Sequence, residues 1–186
     1  QITPDDVRKL FEKLGRLTKG DVLVLSGSIP AAVGNDIYRR IMEQLKDRGV
    51  CIAVDAERDL LTEVLPLKPF LIKPNNHELG QIFGKKLKTE KEIIDGAMSL
   101  KDRGAVNVLV SMAKDGAILV DENGKVHRLG VCRGTGFLAG YLKTGDYDYA
   151  LRLGTASGGA TAFSDGMGSR KMIMELFAQL TENGGK

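Results

Sequence analysis

A cluster of polar side chains directly follows a short apolar run in the stretch FLIKPNNHEL, residues 70–79. Lys73, Asn75 and Glu78 supply an ammonium, an amide and a carboxylate close together. Asn with Glu three positions later is the pattern of a helix capping box, and Pro74 before it suits a helix entry. The same two side chains could instead hold a hydrated magnesium ion, which usually keeps several of its waters. The two interpretations are compatible, because a capping residue can also present a ligand.

Two more polar stretches follow apolar runs, SGSIP at 26–30 and SMAKDGA at 111–117. The small residues and the glycine of SMAKDGA favour a plain tight turn. The alternative is a loop whose backbone amides approach a phosphate, with Lys114 adding positive charge. Later in the chain, TASGGATA at 155–162 carries small side chains along a helical segment. These either allow close helix–sheet packing or leave room for a flat ligand such as adenine.

Strands and helices that alternate along the chain must position these clusters. Continuous apolar runs in this order favour a parallel sheet that is covered by helices on both faces. In open α/β sheets, ligands bind beyond the carboxyl ends of the strands, so the three polar stretches are expected on one rim. The predicted strands are 21–27, 50–56, 69–73 and 107–111.

Local signals place the helices and a hairpin. Thr3 and Thr89 are expected N-caps, because each is followed three positions later by an acidic residue. DIYRRIMEQLKDRG at 36–49 reads as an amphipathic helix that Gly49 is expected to end. Asn123-Gly124 between two alternating runs predicts a hairpin with a type I′ turn at the sheet edge. From Gly136 onward the chain reads as helical, so the sequence predicts one α/β domain.

The composition is that of an ordinary globular protein, with 42% hydrophobic and 27% charged residues. The net charge is only +3 and the basic residues are scattered, which argues against a nucleic acid or a membrane surface as partner. Two cysteines, Cys51 and Cys132, imply no disulfide framework and favour a reducing compartment, the cytoplasm. Cys51 lies in an apolar run and is expected to be inert. His77 and His127 are too far apart in sequence to suggest a metal site.

Taken in order, five segments resemble the PfkB (ribokinase-like) sugar kinases: SGSIP, FLIKPNNHEL, VSMAKDGA, GFLAGYL and ALRLGTASGGATAFS. Within that family the chain looks most like bacterial 1-phosphofructokinases, with tagatose-6-phosphate kinases close behind. The resemblance covers essentially the whole chain and corresponds to the larger, C-terminal part of a family member. It implies a ribokinase-like three-layer α/β/α fold, with a mostly parallel sheet and an antiparallel edge hairpin.

The resemblance also implies roles for particular residues, with ATP and Mg²⁺ as cofactors. Asn75 and Glu78 would organise magnesium and its waters around the ATP phosphates, and Lys73 would lie near those phosphates. The helix at 155–162 would flank the adenine pocket. The family's S-x-x-x-D-G nucleotide loop corresponds to Ser111, Met112, Ala113, Lys114, Asp115 and Gly116.

Two features of the family are not found in this sequence. The N-terminal part, which supplies most sugar contacts and the lid strands, would precede Gln1, so the chain is expected to be a fragment. A Gly-Ala-Gly-Asp loop would supply an anion hole and the Asp that takes the proton from the sugar hydroxyl. Here Thr135 is followed directly by Gly136, so no catalytic residue is assigned. Asp146 lies on the wrong side of GFLAGYL to replace that Asp. The simplest interpretation is that residues are missing there, which predicts a chain break between Thr135 and Gly136.

The resemblance implies an enzyme that uses ATP to phosphorylate the 6-hydroxyl of fructose 1-phosphate, giving fructose 1,6-bisphosphate. One alternative is tagatose 6-phosphate as the substrate. Another is an inert nucleotide-binding module, if the loop is truly deleted. The expected partners are the sugar phosphate and ATP, and a homodimer would form through the N-terminal lid.

Overall fold

The four predicted strands run parallel to one another, as expected. The protein is described by a computed structural model over residues 2–30, 32–129, 134–162, 164 and 167–183, and it divides into two compact units, Gln1–Val108 and Leu109–Lys186. β1 pairs with β2, β2 with β3 and β3 with β4, each pair parallel and in that order in the sheet. Their bounds are Val22–Ser26 for β1, Cys51–Asp55 for β2, Leu71–Ile72 for β3 and Asn107–Ser111 for β4.

In the described part of the first unit, five helices accompany these strands, and each contacts the next along the chain. A short 3-10 turn at Leu65–Leu67 follows the third helix. Side chains of strands and helices together form the core, in which Val54, Ile72, Leu61 and Leu79 are almost fully buried. The helices are α1 (Pro4–Leu14), α2 (Ile37–Leu45), α3 (Arg58–Val64), α4 (Asn76–Ile82) and α5 (Glu90–Asp102).

The predicted N-caps are confirmed, whereas the predicted end of α2 is wrong. Thr3 and Thr89 each form a complete capping box with the acidic residue three positions later. α2 ends at Leu45, because Lys46 is extended with ψ 137° and Asp47 is left-handed with φ 64°. Gly49 has φ 69° and therefore lies in the turn beyond the helix.

Cys51 on β2 is only partly buried, and burial raises the pKa of its thiol to about 11. The thiolate is the reactive form of cysteine, so this side chain is inert at neutral pH, as expected. Cys132 lies outside the described residues.

The second unit contains the predicted hairpin and three helices. The end of β4, then β5 (Ala117–Val120) and β6 (Val126–Leu129) lie in that order in the sheet, and β5 pairs with β6 antiparallel. The helices are α6 (Gly134–Thr144), α7 (Tyr147–Ala162) and α8 (Arg170–Asn183). None of the described helices combines the length and apolar character that crossing a membrane requires.

The predicted type I′ turn of the hairpin is wrong. That turn needs a positive φ at both central residues, but only Gly124 has one, at 79°. Instead, the amide of Gly124 donates to the carbonyl of Asp121 at 2.9 Å. The Asp121 carboxylate Oδ1 also accepts from the amides of Asn123 and Lys125, both at 2.9 Å. Asp121, two residues before Asn123, therefore determines the geometry of the turn.

The expected chain break between Thr135 and Gly136 is also wrong, because α6 runs continuously through both residues. Gly136 allows this arrangement. A Cβ at that position would lie 2.8 Å from Ser157 Cβ and 2.9 Å from the carbonyl oxygen of Leu153, both on α7. The glycine therefore lets the start of α6 press against α7.

Small residues allow close packing in this unit, both between α6 and α7 and between α7 and the segment that precedes α8. A Cβ on Gly140 of α6 would lie 2.6 Å from the Cα of Ala150 on α7. A Cβ on Gly168 would lie 2.5 Å from the Cβ of Ala160. Backbone contacts this short exclude larger side chains.

Replacing Gly140 with alanine is expected to lower the free energy of unfolding by about 1–3 kcal/mol, because the new methyl group would overlap the α7 backbone. Gly159→Ala is the matched control, since among the described residues its Cβ would meet only Leu176 Cδ1, at 3.4 Å. Alanine favours a helix over glycine by roughly 1 kcal/mol, so the control should be as stable as the wild type or more stable. Denaturant midpoints measure both, and an undiminished midpoint for Gly140→Ala would contradict the packing described.

Candidate functional site

The carboxyl ends of three parallel strands bring two of the polar stretches together in the first unit. The amide of Gly27, in the loop after β1, donates to the carbonyl of Asp55 at 3.3 Å. The amide of Lys73, after β3, donates to the carbonyl of Val54 at 3.0 Å. SGSIP and KPNNHE therefore flank the end of β2, where the logic of open α/β sheets places a ligand. The third stretch follows β4 and belongs to the second unit, and its place on the same rim stays a prediction.

Asn75 and Glu78 form the predicted capping box at the start of α4. Asn75 Oδ1 accepts from the amides of His77 at 2.9 Å and Glu78 at 2.8 Å. Glu78 Oε2 accepts in return from the amide of Asn75 at 2.8 Å. Three of the amide donors left over at the helix start are thus satisfied, and the reciprocal bonds hold both side chains in place.

The capping box leaves particular atoms available for a ligand. In the described part of the chain, no hydrogen-bond donor reaches Glu78 Oε1, so this oxygen stays open while Oε2 caps the helix. Asn75 Oδ1 already accepts two bonds, which uses both of its lone pairs, so its amide nitrogen is the group left to donate. Among the described residues there is no group of three His, Cys, Asp or Glu side chains that could enclose a metal ion.

Asp55 is a member of this cluster that the sequence analysis missed. Its carboxylate Oδ2 lies 3.0 Å from Lys73 Nζ, with side-chain exposures of 43% and 26% respectively. The ion pair directs the ammonium toward the end of β2. The signal in the sequence was an acidic residue at the last position of an apolar strand, VCIAVD.

Tyr38 of α2 contacts the loop that follows β1. Its hydroxyl donates to the carbonyl of Gly27 at 3.2 Å. Burial, and to a smaller extent the negative charge of Asp55, raises the pKa of the Tyr38 phenol above its usual value of 10.0. The hydroxyl therefore stays protonated and anchors the loop after β1.

The S-x-x-x-D-G segment forms a tight turn in the second unit, as its composition predicts. A single 3-10 turn covers Ala113–Asp115, and Gly116 has φ 88°. The amide of Met112 donates to the carbonyl of Gly116 at 2.8 Å, and the amide of Asp115 donates to Met112 at 3.0 Å. Ser111 is the last residue of β4 and precedes the turn. The side chain of Lys114 lies outside the described part of the chain.

On α7, in the segment expected beside adenine, Thr155 has a buried hydroxyl oxygen. This Oγ1 has no hydrogen-bond partner among the described residues. A buried polar atom without a partner is unusual, because the missing hydrogen bond costs roughly 1–3 kcal/mol.

Asp146 caps α7, which supports leaving it out of the catalytic set. Its Oδ1 accepts from the amides of Asp148 at 2.7 Å and Tyr149 at 3.1 Å.

His127 is buried between two carboxylates: its Nε2 lies 2.8 Å from Asp121 Oδ2, and its Nδ1 lies 3.2 Å from Asp148 Oδ1. It joins the hairpin to α7 and is a satisfied structural residue.

Replacing Asp121 with asparagine is expected to lower the free energy of unfolding by about 1–3 kcal/mol at neutral pH, because the charged partner of His127 is lost. Burial, the largest single influence, raises the pKa of the Asp121 carboxyl. Hydrogen bonds from His127 and from the amides of Lys125 and Asn123 together bring this pKa below its usual value of 3.8.

A lowered folded-state pKa stabilises the protein above the unfolded value, and the stabilisation is lost as the pH falls through the folded value. The difference in unfolding free energy between wild type and Asp121→Asn should therefore narrow below pH 3.8. Glu122→Gln, an exposed change in the same turn, is the control and should match the wild type at every pH. A difference in unfolding free energy between wild type and Asp121→Asn that stays constant as the pH falls would contradict this role of Asp121.

Comparison with known proteins supports the family resemblance. The family description "pfkB family carbohydrate kinase" matches residues 3–133. The chain is 35% identical to the 1-phosphofructokinase of Bacillus subtilis, over 96% of this chain and 63% of that protein. It is 33% identical to the D-tagatose-1-phosphate kinase of Bacillus licheniformis, over 93% of this chain and 61% of that protein.

Comparison with solved structures supports the same fold. Phosphofructokinase-2 of Escherichia coli, solved in complex with fructose-6-phosphate, superimposes with a TM-score of 0.86 at 22% identity, over 97% of this chain and 63% of that one. The predicted fold class, a ribokinase-like α/β fold with a mostly parallel sheet and an antiparallel edge hairpin, is confirmed. The chain spans about three-fifths of the length of the relatives it matches. With the family description matching more than half of its residues, the chain belongs to the pfkB family of carbohydrate kinases.

Proposed function

We propose that the protein containing this chain transfers the γ-phosphoryl group of ATP to the 6-hydroxyl of a ketohexose 1-phosphate, with fructose 1-phosphate as substrate. The observation that carries the proposal is the rim at the ends of β2 and β3, where Lys73, Asp55, Asn75 and Glu78 are held together in a carbohydrate kinase fold. Phosphoryl transfer depends chiefly on positioning and on neutralising charge, which is what these groups supply.

Glu78 would hold hydrated magnesium through its waters, and Asn75 would bind the phosphates beside it. The open Oε1 of Glu78 suits this role, because it can accept from a metal-bound water while Oε2 keeps the helix cap. The Asn75 amide nitrogen would donate to a phosphate oxygen, since its Oδ1 is engaged in the cap. Bound magnesium supplies positive charge against the phosphates. Lys73 adds an ammonium on the same side, directed by Asp55.

The nucleotide would be bound by the loop Ser111–Gly116. The amides of Met112, Asp115 and Gly116 are used inside the turn, which leaves those of Ala113 and Lys114 to approach a phosphate. The small side chains at 155–162 would flank the adenine ring. These roles are inferred from each unit separately.

The choice of a ketohexose 1-phosphate is supported by the relatives. One is a 1-phosphofructokinase and another a D-tagatose-1-phosphate kinase, so both names place the existing phosphate on carbon 1. Tagatose 1-phosphate therefore replaces tagatose 6-phosphate as the alternative substrate. Initial rates with fructose 1-phosphate, tagatose 1-phosphate and fructose 6-phosphate test this choice. A preference for the 6-phosphate would overturn it.

A second candidate is a catalytically inert nucleotide-binding module. The observation that favours it is the continuous α6, in which no carboxylate stands between Thr135 and Gly136. Without a base, proton removal from the sugar hydroxyl loses about 10²–10⁴-fold in rate. Positioning and charge neutralisation remain, so we favour a slow kinase over an inert module.

Cytoplasmic location and a homodimer through an N-terminal lid stay predictions.

Asp55→Asn is expected to weaken MgATP binding roughly fivefold, equivalent to about 1 kcal/mol, because Lys73 loses the partner that directs it. Stability should change by less than about 1 kcal/mol, since the pair is partly exposed. Asp36→Asn is the control: it removes a similarly exposed carboxylate, which pairs with Arg39 at 3.3 Å. Calorimetric titration with MgATP measures the affinities. Equal affinities for Asp55→Asn and wild type would exclude this positioning role.

A further inference from the structure

A second concave site lies beside α4, on residues that the proposed kinase chemistry does not use. The pocket has a volume of about 530 Å³, and no carboxylate lines it. Its walls consist of two lysines, a histidine, two side-chain amides and an apolar floor: Lys85, Lys86, His77, Asn76, Gln81 and Leu87. Small-molecule pockets typically span roughly 300–1,000 Å³, so this one is of suitable size.

The positive charge of the pocket is offset only in part by the described residues: the pKa of the Glu92 carboxyl is lowered chiefly by the amides of Lys88 and Thr89 and least by the charge of Lys85. Four lysines occur within seven residues, at 85, 86, 88 and 91, and all are exposed. Over the described ranges, neither Lys85 nor Lys86 lies within ion-pair distance of a carboxylate. The nearby carboxylate of Glu92 is engaged at the start of α5, where it accepts from the amides of Lys88 and Thr89 at 2.8 and 2.9 Å. An anion is therefore the ligand that the charge favours.

The pocket is preformed, because the loop after α4 is fixed by its own backbone. The amides of Phe83 and Lys85 donate to the carbonyl of Gly80 at 3.2 and 3.0 Å, and that of Gly84 donates to Gln81 at 3.1 Å. A Cβ on Gly80 would lie 2.5 Å from the Lys85 carbonyl oxygen, so the loop presses directly on the helix. Ligand contacts would come from side chains, since these amides are already used.

His77 offers a further donor to an anion. Its Nε2 lies 2.8 Å from the side-chain nitrogen of Gln81. When the Gln81 amide donates this bond, Nε2 accepts and the ring proton of neutral His77 is on Nδ1. The exposed Nδ1–H can then donate to a ligand next to the two ammonium groups.

We propose that this pocket binds a small oxyanion of the phosphate class, either inorganic phosphate or a phosphate monoester. Lysine ammonium groups are established phosphate binders, and charge-assisted hydrogen bonds to phosphate are about twice as strong as neutral ones. The concave shape favours a small molecule over an extended polyanion. The site is separate from the capping box, whose carboxylate and amide do not line it.

The test is an ¹⁵N–¹H correlation titration of the full chain with sodium phosphate, against sodium chloride at matched ionic strength. Phosphate should shift the amides of Gly80 and residues 84–87 in a saturable way, and chloride should not. The double variant Lys85→Met/Lys86→Met should bind at least tenfold more weakly. Lys91→Met is the control, because it removes an exposed lysine of the same cluster that does not line the pocket.

A parallel titration with glycerol 3-phosphate separates the two sources, since a monoester site should prefer it over inorganic phosphate. Equal affinities for the double variant and the wild type would overturn the proposal. An equal loss of phosphate affinity in the double variant and in Lys91→Met would also overturn it, because it would indicate a diffuse charge effect. Binding of a nucleic acid with no saturable response to phosphate would overturn it as well, and would assign the lysines to a polyanion surface.

Discussion

Insertion of Gly-Ala-Gly-Asp between Thr135 and Gly136 is expected to raise the rate of phosphoryl transfer by about 10²–10⁴-fold in the full-length protein. The inserted Asp would accept the proton of the sugar hydroxyl, for which the present chain assigns no base. The inserted glycines would place backbone amides at the start of a shortened α6, where a helix N-terminus favours an anion. Gly136 and its close packing against α7 would be kept.

The control is an insertion that ends in Asn instead of Asp. It preserves the length of the loop and its amides but removes the base. Steady-state rates with saturating MgATP measure both variants, and thermal unfolding checks that each is folded. Equal rates for the Asp and Asn insertions would contradict the account, because the carboxylate would then contribute nothing.

Glu78→Gln is expected to lower turnover by tens-fold or more, on the order of 2 kcal/mol in the transition state. Glutamine can still cap α4, so the bond to the amide of Asn75 is retained and the melting temperature should barely change. What is lost is the negative charge on the open Oε1, which would hold the waters of magnesium. The magnesium concentration needed for half-maximal rate should rise accordingly.

Glu92→Gln is the matched control, because Glu92 occupies the same position in the capping box of α5. If both substitutions leave the rate and its magnesium dependence unchanged, the capping box is the whole explanation of Asn75 and Glu78. A large loss of stability in Glu78→Gln alone would also contradict the account.

Features that depend on neighbours in the sequence could be predicted, since the partners are known without the fold. The capping boxes at Thr3, Asn75 and Thr89 are of this kind, because donor and acceptor are three residues apart. The parallel strands followed from continuous apolar runs. α3 was missed because it is short and its first turn has no side-chain cap.

Features that depend on distant residues could not be predicted. Asp55 and Lys73 are far apart in sequence and meet only because β2 and β3 are adjacent and parallel. The hairpin turn differs from the prediction because Asp121, outside the Asn-Gly pair, binds two backbone amides and His127. The continuity of α6 rests on Gly136, whose contacts are with α7.

The most direct test of the proposed kinase is ³¹P NMR of the full-length protein with MgATP and fructose 1-phosphate. The account predicts slow formation of ADP and fructose 1,6-bisphosphate in equal amounts, at a rate that depends on magnesium and falls further in Glu78→Gln. The result that would contradict it is saturable binding of MgATP with no second phosphate appearing on the sugar. In that case the protein would be a nucleotide-binding module with a kinase fold.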